Sequence, residues 1–283
     1  IKKNLSKCYI PEMDRYLYGR KFDDGKNVPF NLLLQLSAKH LRLKWESYLI
    51  RDKEEYVNEI IKFAEAILDI CDIQGTSGVE YSMMNSECFP IYLINEMIFD
   101  KICVAQQYSA KFILMSLDYL IKPWFSYAKT NYSYEDYYKV TKYVLNIQAL
   151  CGKLNIGIMK KETGVALYLL RQILRDVSIP ANEVNKEFVS LDSKTNLFTK
   201  PMIAFPLENY IFLEEHFCGI GFLNAAIDMI RKNYRGLGRE QGGAVEKMLR
   251  DEMQKKGFGI KGGNYREKNY EKGGECDIVL EDS

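Results

Sequence analysis

The sequence lacks the features of a membrane protein or of a disulfide-rich secreted protein. Its most apolar candidate segment, "KFILMSLDYLI", is interrupted by Asp118 and followed by Pro123, so there is no run of about 18 uncharged apolar residues to span a bilayer. The seven cysteines are scattered without a C-x-x-C pair, a pattern typical of a reducing compartment. We therefore expect a cytoplasmic protein with no membrane partner.

Histidine is also scarce, which limits the chemistry that the chain can perform. The two histidines are His40 and His216. His216 has no second histidine at H-E-x-x-H spacing, so we interpret it as an ordinary amphipathic residue rather than a zinc ligand. No Ser-His-Asp or Cys-His spacing supports a hydrolase with a side-chain nucleophile.

Charge of one sign is not in excess either. Lysine and arginine total 39 against 38 acidic residues, a net charge of +1. The whole chain therefore exerts no general attraction on nucleic acid, and a nucleic-acid ligand would require a local basic patch.

What the chain does have is apolar content and helical periodicity. The hydrophobic fraction is 47% and the aromatic fraction 13%, values typical of a packed globular protein of one large or two smaller domains. From about residue 29 to residue 175 the apolar spacing is mainly helical. It predicts buried stripes through Leu32, Leu33 and Leu36 and through Phe63, a helix capped by Ser133, and an unbroken helix over 161–177.

After Pro180 the pattern changes to short β-rich runs, which predict a hairpin near 187–213. A helix follows, and then the glycine-rich "RGLGREQGG" indicates an element boundary, with its glycines explained by close helix packing. A helix over 244–257, a strand, a turn at Gly273-Gly274 and a closing strand complete the sequence. The expected fold class is α+β, with a mostly helical recognition or regulatory region over 1–230 and a second domain beginning at 231.

Acidic residues stand at defined positions in this second domain. Glu246 borders a predicted apolar stripe of its helix, formed by Val245, Met248, Leu249 and Met253. Glu275 and Asp277 share one face of the closing strand, because side chains alternate along a strand. Two such carboxylates repel each other unless a cation lies between them, and Mg²⁺ prefers oxygen ligands. The alternatives are that Glu246 is a salt-bridged surface residue and that the strand acids point to water.

The segment from Gly238 to Asp282, "GREQGGAVEKMLRDEMQKKGFGIKGGNYREKNYEKGGECDIVLED", resembles the first half of a PD-(D/E)xK nuclease domain of the restriction-endonuclease-like superfamily. In that family a helix bearing a glutamate precedes a strand of the type G-G-E-x-D, and a following strand supplies E-x-K. By this resemblance Glu246 matches the helical acid, Asp277 the central metal-binding aspartate and Glu275 the acid before it. The match covers about 45 of the 283 residues, and no E-x-K follows Asp277 in the sequence.

The resemblance implies an activity, a cofactor and a set of site residues. It implies metal-dependent cleavage of DNA, with Glu246 and Asp277 as catalytic residues and Asp277 and Glu275 holding Mg²⁺, or Mn²⁺ in its place. The setting suggested by the family is bacterial or antiviral defence. Completion of the site would require the missing E-x-K strand. The alternative is a helical interaction scaffold or regulatory protein with no catalytic activity.

A local basic run leads into this nuclease-like helix and is the candidate for phosphate contact. It consists of Arg231, Lys232, Arg235 and Arg239. The tyrosines of "TNYSYEDYYKVTKY" could stack nucleic-acid bases, but the pattern favours a place in a core or an interface. The expected partners are therefore DNA and a protein bound through the helical region, and a homo-oligomer is compatible with the sequence.

Overall fold

The computed structural model describes residues 30–40, 108–146, 152–190, 193–212, 218–261 and 279–281, together with positions 55, 58, 59, 62, 63 and 66. Helices and strands are mixed in these residues, which confirms the α+β class. None of the helices described is long and apolar enough to cross a membrane.

Contacts divide the chain into two compact units, each assembled from segments that are separate in sequence. The first unit consists of Ile1–Tyr108, Ile147–Leu154 and Val177–Ile220, and the second of Ser109–Asn146, Asn155–Asp176 and Gly221–Ser283.

The first unit contains a small mixed sheet. Its described elements are α1 (Phe30–His40), β1 (Gly152–Lys153), β2 (Ser178–Pro180), β3 (Met202–Phe205) and β4 (Asn209–Phe212). The strand order is β1-β4-β3-β2, with β3 and β4 antiparallel and β2 parallel to β3. The β3–β4 hairpin lies within the segment where the sequence predicts one. The short strands β1 and β2 are not part of that prediction.

Asn185 connects separate segments of this unit through side-chain hydrogen bonds. The residue is 1% exposed and has a left-handed φ of 48°. Its Nδ2 donates to the carbonyl oxygen and to Oε1 of Gln35 at 2.9 and 2.8 Å, while its Oδ1 accepts from the backbone amides of Asn196 and Leu197. The buried amide is therefore fully used, as a buried polar group must be to avoid a large desolvation cost.

The second unit is mostly helical. Its described elements are α2 (Ala110–Leu120), a 3₁₀ helix (Lys122–Ala128), α3 (Tyr134–Asn146), α4 (Ile156–Thr163), α5 (Leu167–Asp176), α6 (Ile220–Arg231), α7 (Leu237–Lys255), β5 (Gly259–Lys261) and β6 (Val279–Glu281). Ser133 caps α3 as predicted: its Oγ accepts from the amide of Asp136 at 3.1 Å, and the Asp136 carboxylate accepts from the amide of Ser133.

Tyrosines contribute to the core of the second unit. Tyr132, Tyr134 and Tyr137 are buried, which confirms that this tyrosine-rich segment belongs to a core. The ring centroid of Phe125 is 5.6 to 6.1 Å from the ring centroids of all three tyrosines. The stretch read as a possible stacking surface is therefore largely internal packing.

Each of these hydroxyls has a partner. Tyr132 Oη donates to Asp176 at 2.7 Å, Tyr134 Oη to Asp118 at 2.9 Å, and Tyr137 Oη to the Phe222 carbonyl at 2.6 Å. Burial raises the pKa of Tyr132 and Tyr134, and the hydrogen bonds to carboxylates raise it further. Burial also raises the pKa of Tyr137. All three phenols are thus held in their neutral form.

Several expectations about helices are wrong. The helix predicted over 161–177 is broken at Gly164, which has φ +69° and caps α4 by donating its amide to the Lys160 carbonyl. Glycine ends a helix in this way because the left-handed conformation is free of strain only without a Cβ. In the first unit Phe63 is 67% exposed rather than part of a buried stripe.

The buried face of α1 also differs from the predicted one. Leu32 is buried as expected, but Leu33 and Leu36 are only half-buried. The buried positions include Leu34, Ala38 and the polar Gln35 instead. A leucine-rich run has apolar residues on more than one face, so periodicity alone does not select the face that packs.

Candidate functional site

Helix α7 begins earlier than the sequence suggests. It starts at Leu237, so most of the glycine-rich "RGLGREQGG" is the first part of a 19-residue helix rather than a boundary between elements. The side chain of Leu237 is fully buried. Packing of α7 on α2 supplies the stability that its glycines do not, and Tyr119 Oη of α2 donates to Asp251 of α7 at 2.7 Å.

Close packing does not explain these glycines. A Cβ at Gly238, Gly242 or Gly243 would meet nothing within 4 Å, so the packing interpretation is wrong at these positions. Gly243 instead lines an open groove of about 760 Å³ in the second unit. The groove is lined by Asp118, Tyr119, Lys122, Pro123, Trp124, Glu240, Gly243, Ala244 and Lys247. The sequence pattern gives no indication of this groove.

Glu246 lies on a half-exposed face of α7. Its Oε2 is 4.0 Å from Nη2 of Arg250, one turn later, and the two side chains are 45% and 35% exposed. An ion pair of this length and exposure contributes little to stability. The structure therefore places a basic partner beside the predicted helical acid.

The predicted apolar stripe of α7 is only partly buried. Met248 is buried and Met253 half-buried, whereas Val245 is 37% and Leu249 41% exposed. The expectation of a continuous buried stripe is wrong for the described residues. The helix contacts α2 through one edge and presents a second apolar edge next to Glu246.

A tight turn joins α7 to the strand pair that follows. Gly257 has φ +90°, which a residue with a side chain adopts only with strain, and its amide donates to the Gln254 carbonyl at 2.9 Å. The chain then enters β5, which pairs antiparallel with β6 in the register Gly259–Glu281 and Lys261–Val279. Within the described residues, Val279–Glu281 of the expected closing strand form β6.

The predicted metal ligands Asp277 and Glu275 lie outside the described residues. They directly precede β6, whose first residue is Val279. In the part of the chain that the structure describes, no group of three or more histidine, cysteine, aspartate or glutamate residues is placed to hold a metal ion. Metal binding by Asp277 and Glu275 stays a prediction.

The four predicted phosphate-contacting residues are all exposed and all lie around the α6–α7 turn. Arg231 ends α6 and Lys232 follows it, where the helix dipole favours positive charge. Arg235 lies just before α7 and Arg239 in its first turn, where the dipole disfavours positive charge. The helix dipole therefore explains the positions of Arg231 and Lys232 but not those of Arg235 and Arg239.

Comparison with known proteins adds no family to this description. No protein-family model matches the chain, and neither a curated protein nor a solved structure matches it.

Proposed function

We propose that the chain is part of a metal-dependent nuclease that hydrolyses DNA, with residues 231–283 forming the first half of a restriction-endonuclease-like domain. The observation that carries the proposal is the order of elements around the acidic residues. A helix bearing Glu246 is followed by two antiparallel strands, and the second strand continues directly from "GGECDI". The sequence resemblance has a glutamate-bearing helix before the G-G-E-x-D segment, and this order supports the proposal.

The second apolar edge of α7 is consistent with this arrangement. Val245 and Leu249 flank Glu246 and remain partly exposed. A helix that packs on a sheet needs such an edge. In the proposed domain the sheet covers this edge and brings Asp277 towards Glu246.

The donor set suits the proposed ion. Asp277 and Glu275 supply carboxylate oxygens, which Mg²⁺ and Mn²⁺ prefer. The bound ion would polarise the scissile phosphate and activate water. Glu246 would orient the site.

Cleavage of supercoiled plasmid by the full-length protein, with and without Mg²⁺, tests the activity. We expect Asp277→Ala to abolish Mg²⁺-dependent nicking, because the central ligand is lost, while circular dichroism stays unchanged. Glu246→Gln should lower the nicking rate less, because Glu246 is not the central ligand. Retained activity in Asp277→Ala would remove that residue from the site, and the reverse order of the two variants would mean that the helix is misassigned.

Arg235 and Arg239 are the residues expected to contact phosphate. Positive charge at the N-terminus of α7 is unfavourable for the helix dipole. Binding of an anion there would explain why two arginines lie at this position. The double variant Arg235→Glu/Arg239→Glu should bind DNA more weakly and with a flatter salt dependence, because about two fewer counterions are released. The charge-reversed pair Lys160→Glu/Lys161→Glu at the end of α4 is the matched control. An unchanged salt slope in the arginine variant would contradict phosphate contact there.

One observation favours the alternative, a helical scaffold without catalytic activity. Glu246 faces a basic partner on its own helix, as a structural surface glutamate does. If the full-length protein leaves plasmid intact with Mg²⁺ and with Mn²⁺, the scaffold is the better account.

A further inference from the structure

Two tyrosine rings stack on the surface of the second unit. Tyr127 comes from the 3₁₀ helix and Tyr234 from the turn between α6 and α7, 107 positions later in sequence. Their ring centroids are 4.5 Å apart and the planes differ by 15°. Tyr127 is 42% exposed although Tyr234 covers one face of its ring. Tyr127 is therefore partly accessible to solvent while Tyr234 stacks on its ring.

Backbone contacts hold the pair in place. Asn233 Nδ2, next to Tyr234, donates to the Tyr127 carbonyl at 2.9 Å. The amides of Asn233 and Tyr234 both donate to the Ile230 carbonyl, at 3.0 and 2.9 Å. The Tyr234 ring also lies against the backbone of Gly236, where an added Cβ would be 3.1 Å from its Cζ and Oη. The stack is thus ordered before any ligand binds.

This pair differs from the buried tyrosines of the same unit. Tyr132, Tyr134 and Tyr137 are buried, and each donates its hydroxyl to an acceptor within the unit. Tyr127 is instead 42% exposed, and the exposure of aromatic surface is disfavoured by the hydrophobic effect. A flat, apolar and pre-ordered surface of this kind suits a planar ligand.

Three basic residues are close to the pair in sequence. Arg235 directly follows Tyr234, Lys232 precedes it by two residues, and Lys129 follows Tyr127 by two residues; all three are exposed. Lys129 has a left-handed φ of 52°, which turns the chain sharply after the 3₁₀ helix. An aromatic face beside several cations matches a nucleotide, in which a planar base is linked to an anionic phosphate.

We propose that the Tyr127–Tyr234 pair is a stacking platform for an unpaired base, and that the second unit therefore prefers single-stranded nucleic acid or a frayed end to a continuous duplex. The base stacks on the free face of Tyr127, and neighbouring phosphates contact Lys232 and Arg235. This inference rests on the proposed nuclease function for its substrate and narrows that substrate to strands with unpaired bases. In a continuous duplex the bases cover one another and present no free face to the ring.

The test is fluorescence anisotropy, in EDTA, with a labelled oligothymidylate and a duplex whose two ends are closed by non-nucleotide linkers and that carries the same number of phosphates. Wild-type protein should bind the single strand more tightly. Tyr127→Leu should raise the Kd for the single strand by about tenfold, the scale of losing one stacked base, and barely change that for the duplex. Tyr127→Phe keeps the ring and should bind like wild type.

Two matched controls separate stacking from general damage. Tyr168 of α5 is 65% exposed, and Tyr168→Leu should leave both Kd values unchanged. Gly236→Ala should weaken single-strand binding because the new Cβ displaces the Tyr234 ring, whereas Gly238→Ala meets nothing within 4 Å and should not.

Three results would overturn the platform: no binding of either nucleic acid, no change in Tyr127→Leu, or an equal loss for single strand and duplex. Each is distinguishable from failure of the nuclease proposal. Mg²⁺-dependent nicking lost in Asp277→Ala, together with unchanged binding in Tyr127→Leu, leaves the nuclease and removes the platform. Single-strand binding that depends on Tyr127, without any metal-dependent nicking, would support the platform and remove the nuclease.

Discussion

The two units are stabilised by different kinds of buried polar contact. In the first unit the neutral amide of Asn185 bonds to Gln35 and to backbone amides. In the second unit the phenols of Tyr132 and Tyr134 donate to the carboxylates of Asp176 and Asp118. An amide does not titrate in the accessible pH range, whereas a phenol and a carboxylate do.

The candidate functional residues are also distributed unequally between the two units. Glu246, the basic residues around the α6–α7 turn and the Tyr127–Tyr234 pair all belong to the second unit. The unit proposed to meet nucleic acid is therefore the one whose core depends on protonated tyrosines. Changes of pH and substitutions should act on the two units in separable ways.

The largest expected effect is a loss of stability at alkaline pH. The pKa values of Tyr132, Tyr134 and Tyr137 are raised in the folded protein, so their contribution is fully present below the unfolded pKa of about 10 and is lost as the pH rises above it. Each tyrosine should lower the free energy of unfolding by up to about 1.4 kcal/mol per pH unit.

Urea unfolding of a Trp45→Phe variant measures this effect in the second unit, because Trp124 is then the only tryptophan. Adding Tyr132→Phe should make the alkaline decline shallower. A free energy of unfolding that stays constant to about one pH unit above 10 would contradict the role of buried phenols.

The next effect belongs to the first unit. Asn185→Ala removes the side-chain hydrogen bonds of a buried amide and places alanine at a left-handed φ, so it should destabilise the protein by about 3 kcal/mol or more. Asn209→Ala is the control, since the Asn209 side chain donates to the Pro206 carbonyl at an exposed position, and it should cost less than about 1 kcal/mol. Equal losses for the two variants in urea unfolding would mean that the Asn185 network is not central.

A smaller effect is expected for Tyr137→Phe. The substitution keeps the ring and leaves the Phe222 carbonyl without its 2.6 Å partner, which should cost about 1–3 kcal/mol. Its alkaline decline should also be shallower than that of wild type. Stability equal to wild type, measured by urea unfolding at neutral pH, would show that another donor reaches this carbonyl.

Local signals predicted much of this structure. Ser133 was identifiable as a cap because serine precedes two acids and a periodic helix, and the strands β3, β4, β5 and β6 fall where short β-rich runs occur. The sequence also predicted a core or an interface for the tyrosine-rich segment, and the structure shows that three of its tyrosines are buried. In each case the deciding interaction is local or depends on composition.

Contacts between distant residues could not be predicted in this way. Nothing near Tyr119 indicates Asp251, 132 positions later, and nothing near Tyr127 indicates Tyr234. Helix α7 forms through its glycines because tertiary packing overrides weak helix propensity. The sequence pattern predicts a helix through Gly164, because the apolar periodicity of the neighbouring residues does not reveal the left-handed φ that breaks the helix there.

The most direct test of the central claim is Mn²⁺ binding to the full-length protein, followed by electron paramagnetic resonance of the free ion. The account predicts that Asp277→Asn loses the bound ion, that Glu246→Gln weakens it less, and that Asp228→Asn, a change at an exposed aspartate of α6, leaves it unchanged. Binding by Asp277→Asn as tight as that of wild type would contradict the account.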